Sequence, residues 1–351
     1  MIIKPGRWAI LLLITACFLH RALSQETSDI LLNERLIDRP LTMHRNQLQF
    51  NAGYGLKYAT GLFSDTGESI NMEEEGKSVL THNYGLDLRY GIFGFVEIYA
   101  GTNIISRNER IRQVVKLGYD NIASYGGNID TKGFEDLDLR LSLSVPFLPD
   151  FADISLMAGA VLPFRGSGPE EPRHEVTNPY QIPGAYDISY SYFNKPGNDI
   201  IFSVYGAAIK LAIQNMALVS RAGYAFPLEE GTGITWHSRL SGNTVEYEEE
   251  SYEYLPPAFL HYSNMFYYQA FPWFAVELEV SGMKSYGGWR ESYGQRYSLP
   301  ELNYLSAGAG FEIMVTPALR LYQSFSFPVS GKNTNAGISI RTGISLNHFP
   351  F

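Results

Sequence analysis

The sequence predicts an all-β fold: a single closed, antiparallel, membrane-spanning β-barrel of about 12 strands. Three observations favour this fold class. Apolar and polar residues alternate over many stretches, the connections between those stretches sort by length, and the chain begins with an export signal. Because successive side chains of a strand point to opposite faces, regular alternation places one face in lipid and the other in a polar lumen.

The first alternating stretch, Gln47–Leu62, sets the pattern for the rest. From Leu48 onward every second residue is apolar or aromatic apart from Thr60, and the residues between are polar or small. At ~3.3 Å per residue, its 16 residues span roughly 50 Å. A tilted strand needs only ~9–11 residues to cross a bilayer, so this strand is expected to continue beyond the membrane.

Eleven further stretches repeat this alternation to varying degrees. The cleanest is Asp136–Val145, in which leucine and valine alternate with charged residues and serine. The weakest are Ile200–Lys210 and Met216–Phe226, which are apolar on both parities. In chain order the eleven are Val79–Tyr90, Phe95–Ile104, Asp136–Val145, Ile154–Leu162, Ile200–Lys210, Met216–Phe226, Ala258–Gln269, Phe274–Gly282, Tyr304–Met314, Leu319–Phe327 and Gly337–Asn347.

The length of each connection depends on whether it follows an odd-numbered or an even-numbered stretch. Short ones follow the even-numbered strands: Gly91–Gly94, Pro146–Asp153, Leu211–Asn215, Ala270–Trp273 and Val315–Ala318. Longer ones follow the odd-numbered strands: Phe63–Ser78, Ile105–Glu135, Pro163–Asp199, Pro227–Pro257, Met283–Asn303 and the intermediate Pro328–Ala336. Short periplasmic turns and long extracellular loops are typical of outer-membrane barrels. We therefore assign residues 47–351 to one barrel with both termini in the periplasm.

Residues 1–24 have the features of a secretory signal peptide. Two basic residues come first, an apolar run follows, and small residues precede the expected cleavage before Gln25. An alternative remains open, because Ile14–Cys17 resembles a lipoprotein box that would place a lipid on Cys17. The apolar run is too short for a membrane helix.

Residues 25–46 form a periplasmic N-terminal segment without a clean period. Several leucines and isoleucines followed by Arg39 and Pro40 permit a short helix. Two interpretations remain: a plug at the periplasmic mouth of the barrel, or a leader laid against the first strand.

The composition excludes several classes of function. Cys17 is the one cysteine, so cleavage after residue 24 leaves no disulfide and no thiolate metal site. Cleavage also removes three basic residues and no acid, leaving 24 Lys and Arg against 36 Asp and Glu. An acidic chain argues against nucleic acid as a partner. No motif points to a cofactor, and the spacings expected of a metal site are missing from His174, His237, His261 and His348.

Two short motifs resemble those of known outer-membrane proteins. The terminal Phe351 resembles the signal that Gram-negative barrels present to their insertion machinery, although Pro350 interrupts the alternation. Gly133–Leu141 resembles the start of a middle strand in the MetA-pathway phenol-degradation type of outer-membrane barrel. That resemblance covers nine residues of 351. It implies a barrel that passes or senses hydrophobic small molecules and has no catalytic residues.

The polar face of the barrel is the predicted place of function. The residues expected to line the lumen are Lys57, Asp87, Arg89, Glu97, Tyr99, Asp138, Arg140, Glu277, Glu279, Glu312, Arg320, Tyr322 and Arg341. Tyr205, Met265 and Tyr267 are expected on the same side. Eight-stranded barrels are filled by side chains, whereas those of 16–18 strands hold a water channel. A lumen of intermediate width is either a narrow pore or closed by a structural network of ion pairs.

Other candidate motifs favour structural roles. Asp65–Gly67 has the local signature of an aspartic protease, but that mechanism needs two carboxylates and the triplet has no second copy. His82 and Asn264, on the apolar parity, are the candidates for an outer-membrane phospholipase site, although no serine has that family's nucleophile motif. Three interpretations remain for the acidic runs Glu73–Glu75 and Glu246–Glu250. They bind divalent cations that bridge lipopolysaccharide, repel anions at the mouth of the barrel, or form solvated loop surface.

These observations predict an outer-membrane channel or transporter for small, hydrophobic or aromatic solutes, surrounded by lipid and lipopolysaccharide. The loop that contains Gly166–Pro169 either folds inward as a constriction or acts as a flexible lid. The first alternative function is a non-conducting barrel whose loops bind a surface partner or glycan. The second is a lipid-modifying enzyme.

Overall fold

The computed structural model describes residues 41–72, 78–116, 122–148, 152–163, 173–176, 187–192, 200–241, 244–292 and 294–348. The strands are β1 Leu48–Phe63, β2 Ser69–Asn71, β3 Ser78–Phe93, β4 Val96–Lys116, β5 Ile122–Phe134, β6 Leu137–Leu148, β7 Ala152–Leu162, β8 Arg173–Val176, β9 Asp187–Tyr192, β10 Phe202–Ile213, β11 Met216–Pro227, β12 Gly231–Ser241, β13 Thr244–Leu255, β14 Ala258–Phe271, β15 Phe274–Tyr286, β16 Trp289–Ser292, β17 Gln295–Ser298, β18 Asn303–Thr316, β19 Leu319–Lys332 and β20 Thr334–His348. Among these residues, no helix has the length and apolar character of a membrane span.

Twelve of the strands close into one antiparallel barrel. In order around the ring they are β1, β3, β4, β6, β7, β10, β11, β14, β15, β18, β19 and β20. The ring closes because β1 pairs with both β3 and β20. Each of the 12 strands corresponds to one alternating stretch of the sequence. The predicted fold class is therefore confirmed.

The outer face of the barrel is apolar. Leu88, Leu141, Leu156 and Leu278 project outward, with between 42% and 58% of their surface exposed. Exposed leucines at alternate positions of neighbouring strands match the lipid-facing band of an outer-membrane barrel. The polar residues between them therefore face the lumen.

The two ends of the barrel differ, and we name them the turn end and the loop end. At the turn end, connections are as short as the two residues Gln214–Asn215. Exposed aromatic rings stack there, Phe93 on Phe95 and Phe271 on Trp273, with centroids 5.8 and 5.5 Å apart. Aromatic girdles of this kind mark a membrane–water interface.

At the loop end, strands continue beyond the barrel. β4 and β5 pair as a long hairpin from Ile104–Phe134 to Lys116–Ile122, and β9, β12, β13, β16 and β17 form a separate five-stranded sheet. Ile200, which is fully buried, packs against Tyr252 and Tyr254 of β13. Three of the expected long loops thus contain a β-hairpin: β4–β5, β12–β13 and β16–β17.

The expected connection Pro328–Ala336 is wrong. β19 and β20 continue through it and are joined by Asn333 alone, whose φ of 52° suits a tight turn. Pro328 hides the alternation in the sequence. It pairs beside a register shift between Leu305 and Ser306, where a residue without an N–H group is tolerated.

Several predictions fall outside the described residues. These are the signal peptide over residues 1–24 with Cys17, Glu73–Glu75, Gly166–Pro169 and Phe351. They remain predictions.

Candidate functional site

The lumen of the barrel contains a large central cavity. Its volume is about 710 Å³, and residues from 11 of the 12 barrel strands line it. A second cavity of about 480 Å³ shares five lining residues with the first: Asp87, Glu279, Ser281, Tyr304 and Arg341. The two cavities are therefore neighbours inside the barrel.

The predicted lumen residues occupy three kinds of position. Those that line the larger cavity are Asp87, Arg89, Glu97, Tyr99, Arg140, Glu279 and Arg341. Lys57 and Tyr322 line the second cavity. The remaining four share the inward parity but line neither of these two cavities, namely Asp138, Glu277, Glu312 and Arg320.

Met265 and Tyr267 are also on the lumen side, where the Tyr267 hydroxyl donates to the Met265 sulfur at 3.5 Å. Tyr205 is not. It is 52% exposed on the outer face and stacks on Phe226, with ring centroids 6.1 Å apart. The expectation fails there because Ile200–Lys210 is apolar on both parities, so the pattern does not define which face points inward.

One side of the lumen, the paired wall (β1, β3, β4 and β6), holds its arginines in contact ion pairs. Arg89 donates to Glu97 from Nε at 2.8 Å and from Nη2 at 2.9 Å. Arg140 donates to Asp138 from both Nε and Nη2, the former at 2.7 Å. Bidentate arginine–carboxylate pairs fix the geometry of both partners. Arg89 and Arg140 are therefore engaged with carboxylates of the same wall.

The other side, the open wall (β11, β14, β15, β18, β19 and β20), holds four charged groups without such contacts: Arg221, Arg341, Glu277 and Glu279. No described carboxylate oxygen lies within 4.0 Å of the Arg221 or Arg341 guanidinium. The same holds for described cations around Glu277 and Glu279. Arg221 Nη1 instead donates to the Met265 thioether at 3.2 Å. These four groups interact through space, since Glu277 lies in the field of both arginines and of Glu279.

Residues 41–46 lie against β3 and β4 at the turn end of the barrel. The Met43 N–H donates to Glu97 Oε2 at 2.8 Å, and Arg89 Nη2 donates to the Leu41 carbonyl at 3.4 Å. Leu41 also lines the larger cavity. This part of the N-terminal segment takes up space inside the turn end and so narrows that mouth of the barrel. The choice between a plug and a leader remains a prediction, because residues 25–40 lie outside the described residues.

An amide cluster joins the first and last strands at the same end. Asn347 Oδ1 accepts hydrogen bonds from Gln47 Nε2 at 3.1 Å and from Gln49 Nε2 at 2.9 Å. All three residues are buried, with no more than 6% of their surface exposed. Buried amides are costly without hydrogen-bond partners, so the cluster favours one register of β1 against β20.

Glu135 lies at the loop end, beside the paired wall. Its carboxylate accepts a hydrogen bond from the Asn103 side chain, and its N–H donates to the Asn103 carbonyl at 2.7 Å. Burial raises the pKa of the Glu135 carboxyl above its usual value, and the hydrogen bond from Asn103 acts in the opposite direction. The ionised carboxylate is thus disfavoured at this position.

The phospholipase candidates are not brought together. His82 Nδ1 is hydrogen-bonded to the Tyr54 hydroxyl at 2.8 Å, and Asn264 accepts from Ser220 at 2.8 Å. β3 and β14, which carry His82 and Asn264, are six strands apart on a 12-stranded ring and so lie on opposite sides. Asp65 belongs to a turn in which the Gly67 N–H donates to the Ser64 carbonyl at 3.1 Å.

The residues of the cavity wall that were not predicted from the sequence include Met157, Arg221 and His261. A signal for Arg221 was present. It is the one charged residue in Met216–Pro227, and a charge on the lipid face costs ~2–4 kcal/mol near the midplane. That cost alone assigns its parity to the lumen. Among the residues that the structure describes, no group of His, Cys, Asp and Glu is arranged to hold a metal ion.

No protein-family profile and no curated protein matches the sequence, but solved structures match the fold. An outer membrane channel from Pseudomonas putida F1 has a TM-score of 0.60 at 8% identity, over 93% of this chain and 100% of that one. A mutant of the monoaromatic hydrocarbon channel TodX has a TM-score of 0.47 at 10% identity, over 92% and 94%. The Ralstonia pickettii toluene transporter TbuX has a TM-score of 0.42 at 7% identity, over 90% and 92%. The first of these likenesses shows that this chain has the fold of a Gram-negative outer-membrane β-barrel, as the sequence predicts.

Proposed function

We propose that the protein is an outer-membrane channel for small solutes, aromatic ones included. The central cavity carries this proposal, because side chains from 11 of the 12 strands surround it. Its volume of about 710 Å³ falls within the ~300–1,000 Å³ of small-molecule sites. A barrel built only as a structural anchor has no need of such a space.

The lining of the cavity supports a solute with both an apolar and a polar part. Tyr99, Tyr304, Met157 and Met283 offer apolar and aromatic surface beside the charged groups. Ligand sites usually combine apolar walls with a few polar groups that fix orientation. The resemblance of Gly133–Leu141 to phenol-degradation barrels favours the same class of solute.

A non-conducting binding barrel is the second candidate. The observation that favours it is the position of residues 41–46, which narrow the turn end and reach the cavity through Leu41. If this segment stays in place, solutes enter the cavity from the loop end but do not pass through the barrel to the other side of the membrane.

We also propose that the turn end faces the periplasm, with lipid and lipopolysaccharide around the outer face and the barrel-insertion machinery as assembly partner. A Ser241→Cys variant should then react with a membrane-impermeant thiol reagent on intact cells. An Asn215→Cys variant should react only after the cells are opened. The reverse pattern would invert the topology.

The proposed function is tested by reconstituting the full mature chain in bilayers and vesicles. We expect a small ion conductance, since the lumen is narrowed at one end. We expect phenyl glucoside to enter the vesicles faster than glucose. The two sugars are a matched pair, since both are neutral and cross lipid slowly. Vesicles with heat-denatured protein serve as the control.

Each outcome separates the candidates. A large, stable conductance with equal entry of both sugars would make the protein a general porin. Absence of both conductance and entry would contradict the channel and favour the binding barrel.

A further inference from the structure

The larger cavity presents charges of both signs at one side. Arg221 on β11 and Glu279 on β15 both line it, and β14 is the one strand between them. Strands lie ~4.8 Å apart, and Ser263 pairs with both Arg221 and Ser281, so about 10–12 Å separates the two backbones. Neither side chain has a contact ion pair with a described residue. The two charged groups are therefore not in contact with each other, and both face the same cavity.

The wall next to Arg221 is built from small residues, and the Met157 side chain covers part of it. Gly206, Ala208 and Gly223 face the cavity on β10 and β11, and Arg221 itself pairs with Ala208. Met157 lies over Gly206, because a Cβ atom on that glycine would come within 2.6 Å of the Met157 methyl carbon. A flat surface beside a thioether accommodates an aromatic ring, since sulfur makes favourable contacts with ring edges.

We propose that this part of the cavity binds zwitterionic aromatic solutes of the amino-acid type. The carboxylate of the solute accepts hydrogen bonds from Arg221, its ammonium donates to Glu279, and its ring lies on Ala208 and Gly223 beside the Met157 thioether. Transport of such solutes rests on the proposed channel function, whereas their binding does not. The proposal names the solute class that the two unpaired charges and the flat wall select together.

The charges of the paired wall do not compete for this role. Arg89 and Arg140 already hold a carboxylate through two nitrogens each. A solute carboxylate would have to displace Glu97 or Asp138 to reach them. Arg221 needs no such exchange, because its described partner is the neutral sulfur of Met265.

Three probes with one phenylethyl skeleton test the proposal: phenylalanine, 3-phenylpropionate and phenethylamine. Binding to the full mature chain in detergent is measured by calorimetry at neutral pH. We expect phenylalanine to bind at least about tenfold more tightly than either singly charged probe, because a hydrogen-bonded charge contributes at least about tenfold in affinity. Arg221→Gln should remove the advantage of phenylalanine over phenethylamine. Glu279→Gln should remove its advantage over 3-phenylpropionate.

The matched controls neutralise the same kinds of charge outside the cavity. Arg110→Gln on the loop-end hairpin and Glu301→Gln before β18 should leave all three affinities unchanged. Gly223→Leu should weaken all three probes together by filling the ring wall, since an added Cβ there meets nothing closer than 3.4 Å. Retained resistance to cold detergent shows that each variant is folded.

Equal binding of the three probes, or none, would overturn this inference. So would an equal loss of all three probes in the Arg221 and Glu279 variants. If phenyl glucoside still enters vesicles, only the zwitterion site has failed. If phenylalanine binds as expected but no solute enters, the channel function has failed and the site stands.

Discussion

The two walls of the lumen carry similar side chains in different arrangements. On the paired wall, Arg89 is held by Glu97, whose side chain is only 3% exposed. On the open wall, Arg221 faces the cavity with no described carboxylate in contact. Burial and pairing make the first arginine part of the structure, whereas the second remains available to a solute. The residue type therefore does not reveal the role of a lumen arginine, but its partners do.

The largest expected effect comes from replacing one arginine on each wall. Arg89→Met leaves the Glu97 carboxylate buried without its partner, which should cost about 3 kcal/mol in the free energy of unfolding. Arg221→Met removes no contact ion pair and should cost less than about 0.5 kcal/mol. Urea unfolding in lipid vesicles measures both. Equal losses would show that the two walls do not differ as described.

A second expected effect concerns the mouth that the paired wall supports. Deletion of residues 25–46 should raise single-channel conductance at least about twofold, because the segment that narrows the turn end is gone. Glu97→Gln weakens the contact with the Met43 N–H and should give a smaller increase. Glu109→Gln, at the loop end, is the control and should conduct like the unaltered chain. An unchanged conductance after the deletion would mean that residues 41–46 do not limit flow.

A matched pair of glycines gives a smaller effect. A Cβ on Gly159, beneath Arg140, would come within 2.9 Å of the Arg140 Cα atom and closer still to the Leu139 carbonyl oxygen. Gly159→Ala should therefore destabilise the barrel by about 1–3 kcal/mol. Gly223→Ala on the open wall meets nothing nearer than 3.4 Å and should be neutral within about 0.5 kcal/mol. The same unfolding assay compares them, and comparable losses would contradict the difference in packing.

The smallest expected effect is a pH dependence at Glu135. Because burial raises the pKa of this carboxyl in the folded chain, its contribution to stability is complete below the usual value of 4.5 and declines as pH rises through the folded pKa. Glu135→Gln should therefore be more stable than the unaltered chain at pH 8. At pH 3.5 the two should unfold alike. A stabilisation that is the same at both pH values would rule out the titration of Glu135 as its cause.

Much of the fold could be predicted because the lipid-facing and lumen-facing residues of a membrane barrel alternate along each strand. In Asp136–Val145, leucine alternates with charged residues and serine, so Asp138 and Arg140 could be assigned to the lumen from the pattern alone. Tyr205 could not be assigned, because alanine, valine and isoleucine on both sides of it fit lipid and lumen equally. Small residues fit lipid or lumen at little cost in free energy, so they do not show which face of a strand points inward.

The difference between the two walls could not be predicted either. Arg89 and Glu97 are close in sequence, but their pairing depends on β3 and β4 meeting in register across a turn. Arg221 and Glu279 are 58 residues apart in the sequence. They face the same side of the lumen because only one strand, β14, lies between β11 and β15 in the ring. Parity determines which face a side chain occupies. The ring order and shear of the whole barrel determine which neighbours it has.

The amide cluster at the turn end has a consequence for assembly. Asn347 bonds Gln47 and Gln49 across 300 and 298 residues of chain, so this contact forms only after every other barrel strand has been made. Until then β1 and β20 expose two unsatisfied edges, which hydrocarbon does not tolerate. Loop closure over such a distance is slow. The buried hydrogen bonds of Asn347 thus form only when β20 pairs with β1 in this register, and they stabilise the closed ring over an open or shifted one.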